Sequence, residues 1–250
     1  MASLVEVTRH GDVVWLTLAR PDALNALNRA LTDALEEAVA EIAATAAVVL
    51  VLAGRGRAFC AGNDLREMAT LSAGDAEALA ARQARLLDRF QDLPQVTLAA
   101  VDGYALGGGL MLAVAQDLRI ASDRARFGLP EVTLGFNPAY GIARLLDVLP
   151  GGHARDLLLT GRTIRASDAL RMGLVNRVVA APTLTASAGA WAEEIARSPR
   201  DALAATKGIV ARIRAGAAGR EPEAYGAALR ASPAARARLQ RFTARKSPSG

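Results

Sequence analysis

One cysteine and two histidines are all that the 250 residues contain of those types. Cys60 alone cannot close a disulfide within the chain or build a cysteine-based zinc site. His10 and His153 are too few for a histidine-rich metal centre. A reducing, cytoplasmic compartment is therefore expected. Aromatic residues are scarce as well: three Tyr, five Phe and two Trp. RNA-binding surfaces interleave basic residues with aromatics that stack on bases, so nucleic acid is not the expected partner. No apolar run approaches the ~20 residues of a membrane span, and no membrane partner is expected. The opening MASLVEVTRHGD carries an acid, Glu6, and lacks a long apolar core, so it does not read as a signal peptide. Lysine is nearly missing: Lys207 and Lys246 stand against 28 arginines. From Arg200 onward, eleven cationic and three acidic residues leave +8, while the whole chain carries +5. Such a tail either attracts phosphates or reflects an arginine-rich overall composition, and the residues alone leave both readings open.

What is present is a large apolar fraction, 52%, enough for a sizeable core in one domain or a domain with an extension. Val13 to Leu18 (VVWLTL) reads as a buried strand that Pro21 ends. Asn28 is placed to cap a helix through Ile42, with Leu31, Leu35, Val39 and Ile42 on one face. Val48 to Leu52 is a second buried strand, followed by an irregular loop marked by Gly54, Gly56 and Gly62. Ala76 to Gln91 is helical, and Pro94 stops it. Val96 to Val101 is the next strand, then three glycines, a helix to about Ala115 and a short strand Leu118 to Ala121. Strands alternating with helices imply an α/β core of mostly parallel strands. Beyond Pro138 alanine-rich helical stretches dominate, and the terminal SPSG reads as disordered.

Several familiar motifs fail. GRGRAFCAG does not end in GK[ST], no strand is followed by GxGxxG, and no GxSxG nucleophile elbow occurs. Cys60 reads as a packed thiol and His153 as structural or solvent-facing. Two glycine-containing junctions remain, AFCAGNDL (Ala58 to Leu65) and YALGGGL (Tyr104 to Leu110). Each follows a buried strand and can leave backbone N–H groups unpaired. Two such groups converging on one point make an oxyanion hole, and the second junction adds a helix N-terminus. A tight strand-to-helix turn without a ligand explains the same spacing equally well.

With these stretches in place, the chain resembles the crotonase, or enoyl-CoA hydratase/isomerase, superfamily. The matching segments are RPDALNAL (from Arg20), GRAFCAGNDLREM (from Gly56), AAVDGYALGGGL (from Ala99), FGLPEVTLGFNP (from Phe127), LLLTGRTIRASDALRMGLVNRVV (from Leu157) and RFTARKSP (from Arg241). The resemblance implies a core of β-β-α turns wound into a superhelix with a helical C-terminal region. We place the core at residues 1–197 and an extension for oligomer contacts at 198–250. It implies a trimer or dimer of trimers, and an acyl-CoA thioester as substrate. No permanently bound cofactor is expected, with coenzyme A entering as part of the substrate. By position the oxyanion hole would use the N–H groups of Asn63 and Gly108. Ala23 and Leu24 would border the adenine, and Arg66 would supply a positive charge. Lys246 would reach phosphates of a neighbouring subunit's ligand. Ala61, Asp64, Leu65, Met111, Pro130, Ala139 and Tyr140 complete the expected substrate-binding set. Asp64 would fix the hole-forming loop, and Asp117 and Arg119 would brace the strand after the helix.

The family's hydratases hold a water with two glutamates. One matches Glu131, but the position of the other is Met111, which can neither accept a proton nor orient water. The loop Ala139-Tyr140-Gly141-Ile142 also departs from the family pattern and carries no acid. A single carboxylate can still move a proton along an acyl chain, and Glu131 is the expected base of a one-base enoyl-CoA isomerase. The alternatives are a hydratase or C–C bond enzyme with one glutamate, and a non-catalytic CoA- or RNA-binding homologue.

Overall fold

The computed structural model describes residues 3–214 and 232–244. The expectations placed on Lys246 and on the terminal SPSG lie outside these residues.

The chain begins with an antiparallel pair, β1 (Val5–His10) and β2 (Val13–Leu18). Helix α1 (Arg29–Ala43) follows, started by the Asn28 side chain, which accepts from Leu31 N at 2.9 Å. Its buried face is the expected one, Leu31, Leu35, Val39 and Ile42. Then come β3 (Val49–Gly54), β4 (Ala58–Cys60), α2 (Leu65–Met68) and α3 (Ala73–Asp92). Helix α3 starts three residues earlier than its apolar spacing suggests, because Ser72 caps it through Asp75 N at 3.1 Å. Next are β5 (Val96–Val101), β6 (Tyr104–Leu106), α4 (Gly108–Val114), β7 (Leu118–Ser122) and β8 (Arg126–Gly128). The remainder is mostly helical: α5 (Ile142–Val148), α6 (Gly151–Thr160), β9 (Thr163–Arg165), α7 (Ala166–Met172), β10 (Arg177–Val179), α8 (Leu184–Ala196), α9 (Arg200–Arg214) and a last helix, Pro233–Ala244.

Two sheets result. One has six strands in the order β1-β2-β3-β5-β7-β10, and the other has four in the order β4-β6-β8-β9. The opening unit keeps both its strands, β1 and β2, in the large sheet, and the pairs β3-β4, β5-β6 and β7-β8 each give their first strand to the large sheet and their second to the small one, which is the expected superhelical arrangement. The segment from Gly54 to Gly62 is therefore not wholly irregular, as its glycines suggest. It contains β4, whose three residues are all but fully buried. Alternation along β3 shows how the core is shared. Leu50 and Leu52 face the interior lined by α1 and the small sheet, while Val49 and Val51 pack on Leu184, Ala188 and Trp191 of α8. A strand covered on both faces is apolar throughout, which is why it is legible in sequence.

Buried charges brace this frame. Asp117 Oδ2 accepts from Thr97 N and Thr97 Oγ1 at 2.8 and 3.0 Å. Lys207 Nζ gives its three bonds to Phe90 O, Gln95 O and Asp117 Oδ2, at 2.7, 2.8 and 2.8 Å, and so ties α9 to α3 and β5. Arg119 donates to Leu174 O and Gln116 O, both at 2.7 Å, and its N–H donates to Asn176 Oδ1 at 2.8 Å. The LVN stretch is thereby held beside β7. No described helix is long and apolar enough to cross a membrane.

Candidate active site

The first glycine junction is anchored by the RPDALNAL stretch. Arg20 donates to Asp64 Oδ2 at 2.6 Å, and Asn25 Nδ2 donates to Ala58 O at 2.8 Å. Leu24 and Asn25 both adopt positive φ, 53° and 56°, so the turn closes back on the loop. Ala61 N donates to Leu24 O, Leu27 N to Gly62 O, and Asp64 N to Leu27 O, at 3.0, 2.8 and 2.9 Å. Alternate peptide groups of an extended chain point to opposite sides. With Gly62 and Asp64 bonded to Leu27, the Asn63 N–H turns the other way and finds no acceptor among the described residues. Asp64 caps α2 by accepting from Arg66 N and Glu67 N. Burial alone would raise its pKa, but the Arg20 hydrogen bond and these N–H groups hold it below the usual carboxylate range.

The second junction places its three glycines for three different reasons. Gly107 has φ 51° and ψ −126°, a backbone state reserved in practice for glycine. A Cβ on Gly109 would strike the Cys60 carbonyl of β4. A Cβ on Gly108 would strike Asn63 Oδ1 and the Tyr140 hydroxyl. Protein groups alone thus account for the run, and side chains of the candidate site crowd both Gly107, through Glu131, and Gly108, through Asn63 and Tyr140. The two junctions abut: a Cβ on Gly62 would lie 2.7 Å from Leu106 O and 3.3 Å from Gly108 N. Gly108 is the first residue of α4, so its own N–H has no helical partner.

Between the junctions and the segment 130–140 lies a pocket of about 600 Å³, open mouth included. Ala61, Asn63, Leu65, Gly108, Met111, Pro130, Glu131, Ala139 and Tyr140 line it, so nine expected residues converge there. Ala23, Leu24, Asp64 and Arg66 do not line it. Ala23 and Leu24 sit in the turn behind Ala61, Asp64 is committed to the loop, and Arg66 is exposed on α2. Met68, Leu134, Phe136 and Asn137 also line the pocket, and the sequence reading did not single them out. Leu134 and Phe136 are 54% and 39% exposed, apolar residues with no strand or helix period around them to explain their presence.

Glu131 is the only carboxylate of the lining. Its Oε1 would lie 2.9 Å from a Cβ on Gly107, and its Oε2 is buried without a hydrogen-bond partner among the described residues. Burial raises its pKa above the ordinary 4.5. Met111 is 1% exposed. Tyr140 donates to Asn63 Oδ1 at 2.6 Å, and burial above all pushes its phenol upward, so it stays protonated. Cys60 is fully buried and its thiol is pushed up to about 12 by that burial, against a hydrogen bond from Gly62. It is a packing residue, not a nucleophile.

Known proteins resemble this chain over most of its length. The family model of enoyl-CoA hydratase/isomerase matches residues 8–234. A carnitinyl-CoA dehydratase of Proteus mirabilis is 40% identical over 212 residues, covering 84% of this chain and 80% of that protein. A short-chain-enoyl-CoA hydratase of Clostridium acetobutylicum is 36% identical over 83% of this chain and 81% of its own length. The crystal structure of an enoyl-CoA hydratase of Mycobacterium smegmatis superposes with a TM-score of 0.88 at 33% identity, covering 98% of each chain.

Proposed function

The chain belongs to the enoyl-CoA hydratase/isomerase family, and on that premise we propose that it isomerises 3-enoyl-CoA thioesters to 2-enoyl-CoA with Glu131 as its one base. The observation that carries this reading is a single half-buried carboxylate, with one oxygen unpartnered, in a pocket that sets Met111 where its hydrating relatives would need a second acid. Glu131 takes a proton from the carbon next to the thioester. The negative charge moves onto the thioester oxygen, where the N–H groups of Asn63 and Gly108 receive it. Glu131 then returns the proton two carbons along, and the double bond has moved. The apolar lining favours the neutral carboxyl and brings the base nearer the working pH. We assign Ala23, Leu24 and Arg66, outside the lining, to the coenzyme A handle.

Hydration is the second reading. It is favoured by the Tyr140 hydroxyl, a further polar group among the lining residues, and by the names of the relatives. Assays on 3-enoyl- and 2-enoyl-CoA, with products identified by mass, separate the two. Met111→Glu sharpens the test. Two carboxylates facing one space take different pKa values, giving the acid and the base that water addition needs. Met111→Glu is expected to gain measurable hydration of 2-enoyl-CoA, where the wild type hydrates poorly. A buried glutamate costs stability, so folding is verified first. Brisk wild-type hydration, undiminished by Glu131→Gln, would sink the one-base reading.

Oligomerisation completes the proposal, with the extension 198–250 contributing contacts. Val210 and Ile213 of α9 are 53% and 52% exposed, an apolar surface suited to burial against another copy. Light scattering at micromolar concentration is expected to give a trimer or hexamer, and a monomer would count against it.

A further inference from the structure

Gln83 sits on α3, 2% exposed and outside the pocket lining. It interrupts the buried stripe of Leu79, Leu86, Leu87 and Phe90, where an amide is costly unless bonded. Its Oε1 accepts from Asn63 Nδ2 at 2.9 Å, and its Nε2 donates to Thr32 Oγ1 at 3.5 Å. Thr32 Oγ1 in turn donates to the Asn28 carbonyl at 2.8 Å. A chain of hydrogen bonds thus runs from Tyr140 through Asn63 and Gln83 to α1.

Its direction is decided at the far end. A carbonyl only accepts, so the one Thr32 hydroxyl proton is committed to Asn28. Thr32 Oγ1 can then only accept, which turns Gln83 Nε2 toward it and Gln83 Oε1 toward Asn63. Asn63 Nδ2 must be the donor there, leaving Asn63 Oδ1 for the Tyr140 proton. The Tyr140 oxygen therefore presents lone pairs alone to the pocket.

We propose that Gln83 is a positioning residue for the oxyanion hole. It clamps the Asn63 side chain from outside the pocket, and so holds the Asn63 N–H on target and the Tyr140 proton away from the thioester oxygen. The proposal rests on the hole assigned above. It also extends the role of Asn63, expected from sequence to act through its backbone alone. Small misplacements of such groups cost up to ~100-fold in rate.

A readout independent of turnover tests this. Acetoacetyl-CoA ionises at its C2 carbon, and its enolate is followed by near-ultraviolet absorbance as pH is varied. Bound to the wild type, it is expected to ionise at lower pH than when free. Gln83→Met fills the space without polar atoms and should raise the bound midpoint by about one unit, a roughly tenfold loss of enolate. Gln83→Glu, kept neutral by burial, retains an acceptor for Asn63 and a donor for Thr32, and should stay near wild type. Thr32→Val, which removes the anchor, should shift the midpoint in the direction of Gln83→Met. It carries the test alone if Gln83→Met does not fold. A folded Gln83→Met with the wild-type midpoint, or an unshifted Thr32→Val where Gln83→Met is lost, overturns the positioning role and leaves the hole standing. A wild type that does not lower the midpoint removes the hole, and this role with it.

Discussion

Glu131→Gln is expected to cut isomerisation by roughly 100- to 10,000-fold while leaving affinity for the thioester nearly intact. The change keeps shape and removes proton transfer. Two pH signatures accompany it. The base works ionised, so wild-type kcat/KM should rise with pH through a value above the ordinary 4.5, since burial raises the Glu131 pKa. Stability should run the other way. Between 4.5 and the raised value the folded state holds a proton that the unfolded chain has lost. Wild-type stability therefore declines as pH rises through that window and stays reduced above it. Glu131→Gln lacks this loss, so its Tm should exceed that of the wild type at neutral pH and converge with it below 4.5. A variant with full activity, or a wild-type acid limb at 4.5 or lower, would remove Glu131 from the mechanism.

Adjacent glycines should give separable defects. Gly108→Ala drives a methyl into Asn63 Oδ1 and the Tyr140 hydroxyl, side-chain atoms whose displacement breaks the Tyr140–Asn63 hydrogen bond and leaves the sheet in place. The protein should fold with the hole disturbed, at a cost on the order of 100-fold or more in turnover. Gly109→Ala meets the Cys60 carbonyl on β4, backbone that cannot move without the sheet. Its cost falls on stability, about 1–3 kcal/mol or more. Thermal melts beside turnover numbers separate the two. Full activity in a folded Gly108→Ala would refute the placement of the hole.

Much of the frame was legible because β2, β3 and β5 are largely buried and read as apolar runs that only Thr17 and Thr97 interrupt. Strands β4, β6 and β8 have three residues each, too few to show a period of two, and lie among glycines that read as loop. Of the site, nine residues carried by motifs line the pocket, while Ala23, Leu24, Asp64 and Arg66, carried by the same motifs, lie outside it. Leu134 and Phe136 did not stand out, since their placement depends on the turn of 130–134 rather than on any local pattern. Gln83 left a faint sign, an amide within an apolar helical stripe. Its partners Thr32 and Asn63 lie 51 and 20 residues away, so no local pattern links them to it.

The Lys207 clamp bears on chemical wear. A coenzyme A thioester acylates any amine that offers it a lone pair, and an enzyme that handles thioesters is bathed in its own acylating agent. Lys207 is the only lysine among the described residues. Its ammonium has spent all three N–H bonds on Phe90 O, Gln95 O and Asp117 Oδ2, inside the protein. An amine so held has no lone pair to give. The positive charge elsewhere on the described surface is carried by arginine, whose guanidinium stays protonated and does not take up acyl groups. Spontaneous acylation by its substrate should therefore leave the described lysine untouched.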